Sequence, residues 1–221
     1  MHRTLQKNKK LKMKYLSLMV LLFMFSCANK ETVLLPKSNV TIVADVVDHS
    51  SIYLFFKTKG KDTIAEVNRK NSIISTNWIL NIDKRLPLRL VIPEVMKLQQ
   101  KKREEKAHKN ENAENYYAYA DSIGKNMAFI PFTKVYYSMQ NPTSGSLLLY
   151  FKKNSNAIVI DNLEIAKDRI VKYIESINYA IQPKIILVFD KNMSFNEYLQ
   201  TKIFVKDLDT FNKEVPLEYI C

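Results

Sequence analysis

A small group of residues in the first quarter of the chain has side chains that could bind a metal ion. Asp45, Asp48 and His49 lie close together, and carboxylate and imidazole groups are both ligands of zinc. The group offers one nitrogen ligand, whereas catalytic zinc sites typically use two or three. Aspartate and histidine in turns accept backbone hydrogen bonds and tolerate the turn geometry. We therefore expect Asp45 on a strand and Asp48 and His49 in the turn after it, with no bound metal.

Other candidate catalytic residues have simpler structural roles. Asp190 and Glu197 could be offered as the acid and base of glycoside cleavage, but such carboxylate pairs arise often by chance. We expect Asp190 to cap the turn after a strand and Glu197 to cap a helix. His108 lies in a charged stretch and is expected to be solvated, and residues 144–146 read as linker rather than as a nucleophile elbow. The sequence therefore predicts a protein that is not an enzyme, with no cofactor.

The clearest chemical prediction concerns Cys27 and the short apolar segment before it. The segment runs from Leu16 to Phe25, follows several basic residues and is followed by Ser26. Ten residues make a helix of about 15 Å, half of the roughly 30 Å hydrocarbon layer, so a membrane-spanning helix is not expected. A basic start followed by a short apolar run is typical of an export signal.

A cysteine directly after a small residue at the end of such a segment resembles the lipobox of bacterial lipoproteins. The resemblance implies a lipoprotein signal peptide over residues 1–26 and a lipid on Cys27, which becomes the first residue of the mature chain. An ordinary secretory signal and an uncleaved anchor are alternatives, and Met13 is an alternative start. Ala28 favours the outer membrane over the inner one. Every alternative places the body outside the cytoplasm, facing the periplasm or the exterior.

Composition limits the partners of this body. The chain has a net charge of +12, and residues 1–26 hold six basic and no acidic side chains, which leaves +6 for the remainder. This moderate excess does not indicate a nucleic-acid partner, and anionic lipids or envelope polymers suit it better. The few glycines lack dinucleotide-binding or P-loop spacing. With Cys27 acylated, Cys221 is the other cysteine, so no disulfide framework is expected.

After a polar tether over residues 27–38, residues 39–140 are predicted to form a β-rich α+β domain with one long helix. Runs of β-branched and aromatic residues predict strands at 39–47, 52–57, 76–82 and 127–139, the last interrupted by Pro131. Opposite charges at helical spacing predict a helix from Pro93 to about Ser122, with its charged middle in solvent.

Residues 146–221 are predicted to form a second α+β domain with the order β-β-α-β-α-β and its helices on one face of the sheet. The predicted strands are 146–151, 158–160, 185–189 and 215–220. The continuous apolar strand at 185–189 is expected at the centre of the sheet. Capping-box spacing at Asp161/Glu164 and at Ser194/Glu197 predicts the starts of the two helices, the first of which extends to about Tyr179.

The C-terminal pattern resembles the periplasmic domain of the ExbD/TolR family, the small subunits of proton-driven envelope motors. The best-matching piece runs from Lys184 to Leu199, an apolar strand followed by Asp190-Lys191 and by Phe195 at the next helix. A working subunit of that family has a membrane-spanning helix with a proton-handling aspartate, and the segment Leu16 to Phe25 is too short and holds no acidic residue. The resemblance therefore implies a periplasm-facing binding module detached from the motor, with an envelope protein or polymer as its partner.

The first half contains segments that resemble this unit in sequence. WILNIDKRLPLRLVI from Trp78 aligns without gaps on IILVFDKNMSFNEYL from Ile185, and IYLFFK at 52 resembles LLLYFK at 147. The match suggests that the N-terminal half is a diverged duplicate. The alternative is chance, because apolar strands followed by Asp-Lys recur in chains rich in isoleucine and lysine.

Three functions are compatible with these features. The favoured one is a non-enzymatic cell-envelope lipoprotein that exposes an ExbD/TolR-like binding module. An uncleaved anchor would instead make the chain an auxiliary subunit of a biopolymer transport motor of the ExbD/TolR type. The third is an envelope hydrolase whose site the sequence does not reveal.

Overall fold

Over the residues that the structure describes, two mixed six-stranded sheets and three α-helices make up the protein, which confirms the predicted α+β class. The structure is a computed structural model that describes residues 31–107, 109–142, 146–177, 184–206 and 217–221. The first sheet holds β1 (Lys37–Ser38), β2 (His49–Lys59), β3 (Asp62–Asn68), β4 (Asn77–Ile82), β5 (Asn115–Asp121) and β6 (Asn126–Pro131). The second holds β7 (Tyr136–Ser138), β8 (Leu147–Phe151), β9 (Ala157–Ile160), β10 (Leu163–Ala166), β11 (Ile185–Phe189) and β12 (Leu217–Ile220). The helices are α1 (Leu88–Glu104), α2 (Ile170–Ser176) and α3 (Phe195–Phe204).

The two sheets share the order of four strands. The first contains β3-β2-β4-β5 and the second contains β9-β8-β11-β12. In both, the outer hairpin is antiparallel and the next two pairs are parallel. The third strand of each set is followed by a helix, α1 after β4 and α3 after β11. This repeated order is the one that a duplication of a single unit would produce.

Strand register gives a residue-by-residue equivalence between the halves. Leu80 pairs with Ile52, and Leu187 pairs with Leu149. Leu80 and Leu187 are also equivalent in the gapless alignment, so Ile52 corresponds to Leu149. The sequence comparison aligns Ile52 with Leu147, which lies two residues before Leu149 along the strand. A shift of two residues leaves the same side chains facing the core, because strand faces alternate with each residue.

The loops that precede α1 and α3 meet in an antiparallel bridge between Pro87 and Ser194. Four backbone hydrogen bonds flank this bridge, and they form two pairs in which donor and acceptor exchange halves. The N–H groups of Leu88 and Phe195 donate to the carbonyls of Met193 and Leu86, and those of Arg89 and Asn196 donate to Lys191 and Lys84, over 2.8–3.1 Å. The halves are therefore related, at this point, by an approximate two-fold axis.

A hydrophobic core draws side chains from both sides of the domain boundary that the sequence predicts at 140–146. Trp78 and Tyr117 of the first sheet belong to it together with Phe189, Phe195 and Tyr198 of the second half. Helix α1 contacts β7 and β12 of the second sheet as well as β3 of the first. Residues Val33–Cys221 accordingly form one compact unit.

The strand predicted at 39–47 is wrong. The segment makes only a bridge between Val43 and Phe129, and Val43 and Val46 pack with Ile79 and Ala118 in a second, smaller cluster. The two backbone hydrogen bonds of this bridge join Val43 to the edge of β6 that faces away from β5. Val40 and Val47 are exposed, so burial of apolar side chains does not hold the whole segment in a ladder.

The helix predicted from Pro93 to Ser122 begins earlier and ends sooner. Helix α1 covers Leu88–Glu104, and Tyr117 and Tyr119 lie in β5 with both side chains buried. Their spacing of two is the strand period, and the packing of this strand between β4 and β6 decides its conformation. The charged middle of α1 is also not fully solvated, because Gln99 and Lys102 are buried.

The helix predicted at 161–179 is replaced in its first turn by a strand. Asp161 and Asn162 adopt φ values of 47° and 68°, and β10 then pairs antiparallel with β9. Two consecutive left-handed residues make the tight hairpin turn that aspartate and asparagine tolerate, so the Asp161/Glu164 capping box does not form. A 3₁₀ turn over Lys167–Arg169 leads into α2, and residues 178–183 lie outside the described residues.

Other local predictions are confirmed. The strands at 52–57 and 76–82 are β2 and β4, and the interrupted strand at 127–139 is β6 followed by β7. The hairpin is β8 and β9, and β11 lies between β8 and β12. Ser194 and Glu197 form the predicted capping box at the start of α3.

Candidate functional site

Cys27 and the signal peptide predicted before it lie outside the described residues. None of the helices in the described part of the chain is long and apolar enough to cross a bilayer. The end of the predicted tether is part of the fold. The N–H group of Leu34 donates to Asp83 Oδ2 over 3.2 Å, and Lys37 and Ser38 pair with β5.

The residues considered for catalysis or metal binding serve local structure. His49 opens β2, with its Nδ1 2.7 Å from the carbonyl of Val46. The described residues contain no group of three potential metal ligands. Asp190 accepts the N–H group of Asn192 over 2.8 Å, as a turn residue does. His108 and residues 143–145 lie outside the described residues.

The interior contains a chain of hydrogen-bonded polar side chains that sequence reasoning missed. Lys202 of α3 donates to Glu218 Oε1 of β12. Tyr198, one turn before Lys202, donates its hydroxyl to Glu218 Oε2 over 2.7 Å. The hydroxyl of Tyr137 on β7 lies 3.2 Å from that of Tyr198 and 2.8 Å from that of Tyr117 on β5. We call these five buried residues the polar chain.

The polar chain breaks the symmetry between the halves. Tyr117 and Glu218 occupy equivalent positions, because they pair with Leu80 and Leu187 respectively. When the gapless alignment is continued three residues beyond its end, the helix positions of Tyr198 and Lys202 correspond to Val91 and Val95 of α1, which are fully buried. An ion pair and its hydrogen bonds thus stand in the second half where the first half has apolar packing.

Burial and electrostatics keep the tyrosine hydroxyls of the polar chain protonated. Burial, and then the negative charge of Glu218, raise the pKa of Tyr198 and Tyr137 far above the ordinary tyrosine value. Burial also raises the pKa of Tyr117. The three hydroxyls therefore stay protonated and act as hydrogen-bond donors. Every buried side-chain nitrogen and oxygen in the described part of the chain has a partner, so the polar chain fixes packing and offers no free base.

A second buried cation, Lys102, also has a structural role. Its ammonium group donates to the carbonyl of Thr76, to Asn115 Oδ1 and to the carbonyl of Glu114 over 2.9, 3.0 and 3.3 Å. It lies 4.8 Å from the centre of the Trp78 ring. Burial lowers the pKa of Lys102 to about 8. All three of its donors are occupied, so Lys102 joins the last turn of α1 to the strand ends.

A cavity of about 320 Å³ opens beside Lys202. Its lining combines apolar side chains with lysines and comes from four separate stretches of the chain. The lining residues are Ile42, Glu114, Ile130, Pro131, Phe132, Thr133, Lys134, Val135, Lys202 and Lys206. Helix α1 holds the loop over Phe132–Val135: Gln99 Nε2 donates to the carbonyls of Phe132 and Val135 over 3.2 and 3.1 Å.

The mouth of this cavity is positively charged. Lys134 and Lys206 are exposed, whereas Lys202 is paired with Glu218. The carboxylate of Glu114 accepts the hydroxyl of Tyr116 over 2.5 Å. A neighbouring cavity of about 120 Å³ shares Thr133 and is lined by Lys102, Arg103 and Lys109, the last of which pairs with Glu111 of the same lining over 3.0 Å. An apolar interior with cations at its edge can bind a group that has both apolar and negative parts.

Neither a family model, a curated protein nor a solved structure matches the chain. The lipoprotein signal and the ExbD/TolR-like region therefore stay predictions that rest on the residues.

Proposed function

We propose that the protein is a non-enzymatic lipoprotein of the cell envelope, attached through Cys27, whose body binds an envelope protein or polymer. The observation that carries this proposal is the repeated unit. The region that resembles the ExbD/TolR periplasmic domain has a counterpart with the same strand order in the first half. The chain thus holds two units with the same strand order, joined into one compact unit, and this pairing supports a binding role.

The hydrogen bonds of the buried ionisable side chains support a binding role. The buried ionisable side chains Lys102, Lys202, Glu218 and Asp83 each have hydrogen-bond partners that hold elements together. The polar residues that line the cavity are lysines, Glu114 and Thr133, and the rest of its wall is apolar. This arrangement supports recognition of a partner rather than bond cleavage.

The tether supports a body held close to its membrane. Leu34, only a few residues after Cys27, donates its N–H group to Asp83 directly after β4. Because an extended chain spans at most about 3.6 Å per residue, a lipid on Cys27 would keep this edge of the body within about 25 Å of the bilayer surface. The body would face the periplasm, and Ala28 favours the outer membrane.

Labelling with an alkyne fatty acid in growing cells tests the anchor. The wild-type chain and Cys221→Ala should take up the label, and Cys27→Ala should lose it. A full-length chain without label, recovered with a motor channel partner in a pull-down, would overturn the lipoprotein and favour the auxiliary motor subunit.

Crosslinking in cells tests the binding role. A photoreactive amino acid in place of Lys134, at the cavity mouth, should capture an envelope protein or polymer, and one in place of the exposed Lys61 should not. Equal capture from both positions would count against binding at the cavity. Turnover of a cell-wall glycan by the purified protein would overturn the non-enzymatic role.

A further inference from the structure

The cavity beside the loop Phe132–Val135 has two chemically distinct parts, and each selects a property of its ligand. We propose that this cavity binds an amphipathic anion, a single alkyl or acyl chain that carries a carboxylate or a phosphate. This inference concerns the body alone and does not depend on acylation of Cys27. It goes beyond the proposed envelope role, because it names a small ligand and its site.

The apolar part accepts the chain of the ligand. Ile130, Phe132 and Val135 are buried residues of the hydrophobic interior, and Ile42 lies partly exposed beside them. A volume of about 320 Å³ is at the lower end of the range for small-molecule sites. The interior of the cavity suits one short chain, whereas an envelope protein or polymer would need the larger surface around its mouth.

The charged part selects the head group. Lys134 and Lys206 place exposed ammonium groups at the mouth, and Lys202 lines the wall between them and the polar chain. The carboxylate of Glu114 is engaged by Tyr116, and that of Glu218 by Lys202. The excess of positive charge therefore attracts an anionic head group and repels a cationic head group of equal size.

The cavity is preformed. Gln99 fixes the carbonyls of Phe132 and Val135, and Arg103 Nη2 donates to the carbonyl of Thr133 over 3.1 Å. The guanidinium group of Arg103 also stacks 4.1 Å from the ring centre of Tyr136. A loop held from both ends loses little conformational entropy when a ligand enters, so weak contacts suffice for measurable binding.

Photoaffinity labelling of the full chain in purified membranes tests the proposal. The probe is decanoic acid with a photoreactive diazirine near the end of its chain, and mass spectrometry maps the residues that it labels. We expect labelling within the segment from Ile130 to Val135. Excess decanoate or decyl phosphate should compete, whereas decanol and decyltrimethylammonium of the same chain length should not. Competition by decanoate alone would assign a free fatty acid, and by decyl phosphate alone a phospholipid-type head.

Variants separate a site from partition of the probe into lipid. Replacing both mouth lysines, Lys134→Gln with Lys206→Gln, should reduce labelling about tenfold, because two surface cations each contribute up to about 1 kcal/mol. The matched control replaces the exposed Lys59 and Lys61 and should label as the wild type does. Ile42→Trp, which fills the cavity, should also reduce labelling.

Three results would overturn the proposal: labelling that maps elsewhere, equal competition by decanol, or labelling unchanged in the Lys134/Lys206 variant. Loss of the fatty-acid label on Cys27→Ala is a separate outcome, which bears on the membrane anchor and not on this cavity.

Discussion

Pro87 and Ser194 occupy equivalent positions in the two halves and face each other across an antiparallel bridge. Pro87 gives α1 no side-chain cap, whereas the hydroxyl of Ser194 caps α3. The backbone around the bridge compensates, because the loop of each half accepts N–H groups from the first turn of the helix in the other half. Each half therefore completes the helix start of its counterpart.

Ser194→Ala should destabilise the protein by about 1 kcal/mol, the usual cost of losing an N-cap hydroxyl. The reason is that the N–H group of Glu197 loses its acceptor, while the backbone bonds across the bridge remain. Urea unfolding of purified protein measures the effect. Ser122→Ala, at an exposed position, is the control and should leave the unfolding midpoint unchanged. Equal stability of the two variants would contradict the capping role.

Breaking the buried ion pair from one side should be costly. Lys202→Met leaves the Glu218 carboxylate buried with one hydrogen bond from Tyr198, and the expected loss is about 3–5 kcal/mol. Glu218→Leu should cost a similar amount. The double variant should be more stable than the sum of the two losses predicts, because no charge is then stranded. Chemical unfolding of all four proteins measures this coupling.

The exposed pair Lys152 and Glu164 is the control for this cycle. Its coupling energy should lie within about 1 kcal/mol of zero, because water screens surface ion pairs. Coupling energies of equal size in the two cycles would refute a special contribution from the buried pair.

Stability should depend on pH through Lys102. Burial lowers its pKa from 10.5 to about 8 in the folded protein, so the unfolded chain holds this proton more tightly. The destabilising effect is complete below pH 8 and is relieved as the pH rises towards 10.5. The free energy of unfolding of the wild type, minus that of Lys102→Met, should therefore increase between pH 7 and pH 10. A flat difference would show that Lys102 is not buried as described.

Replacing Asp83 should release the end of the tether from the body. Burial alone would raise the pKa of Asp83, but hydrogen bonds from Arg85 and Leu34 outweigh it and lower the pKa. The carboxylate thus stabilises the fold above its ordinary pKa of 3.8, and this contribution is lost as the pH falls through the lower folded value. At neutral pH, Asp83→Asn should speed tryptic cleavage after Lys37 about tenfold, because Leu34 is released.

The matched control for this cleavage assay is Asp190→Asn. Asp190 stands at the equivalent position of the second half and accepts the N–H group of Asn192, as Asp83 accepts that of Arg85. Asp190 makes no hydrogen bond to residues 34–38, which the structure describes, so cleavage after Lys37 should proceed at the wild-type rate. Faster cleavage in both variants would indicate general unfolding instead of local release.

Local signals in the sequence predicted much of the fold. The apolar run at Ile185–Phe189, the hairpin before it and the spacing of Ser194 and Glu197 each act within a few residues, and all three predictions were correct. Tyr117 was assigned to a helix because the strand period of its segment depends on β4 and β6, which lie far away in sequence. The left-handed turn at Asp161 and Asn162 was missed because the same residues also suit a helix start.

Local signals of this kind do not predict the candidate site. Lys202 and Glu218 come from different elements, and no periodicity links them. A strand signal was available, because Glu218 sits at an inward position beside Ile220, where a charged side chain needs a partner. The cavity combines Ile42, the segment 130–135 and the end of α3, so its existence depends on tertiary packing.

The approximate axis at Pro87 has a consequence for how many ligands one molecule can hold. When two identical chains meet about an axis, each substitution appears twice and every pocket has a twin. Within one polypeptide the two units can differ, as they do at Val95 and Lys202. A stoichiometry of one ligand per chain follows naturally from such a difference, whereas a symmetric pair would hold two.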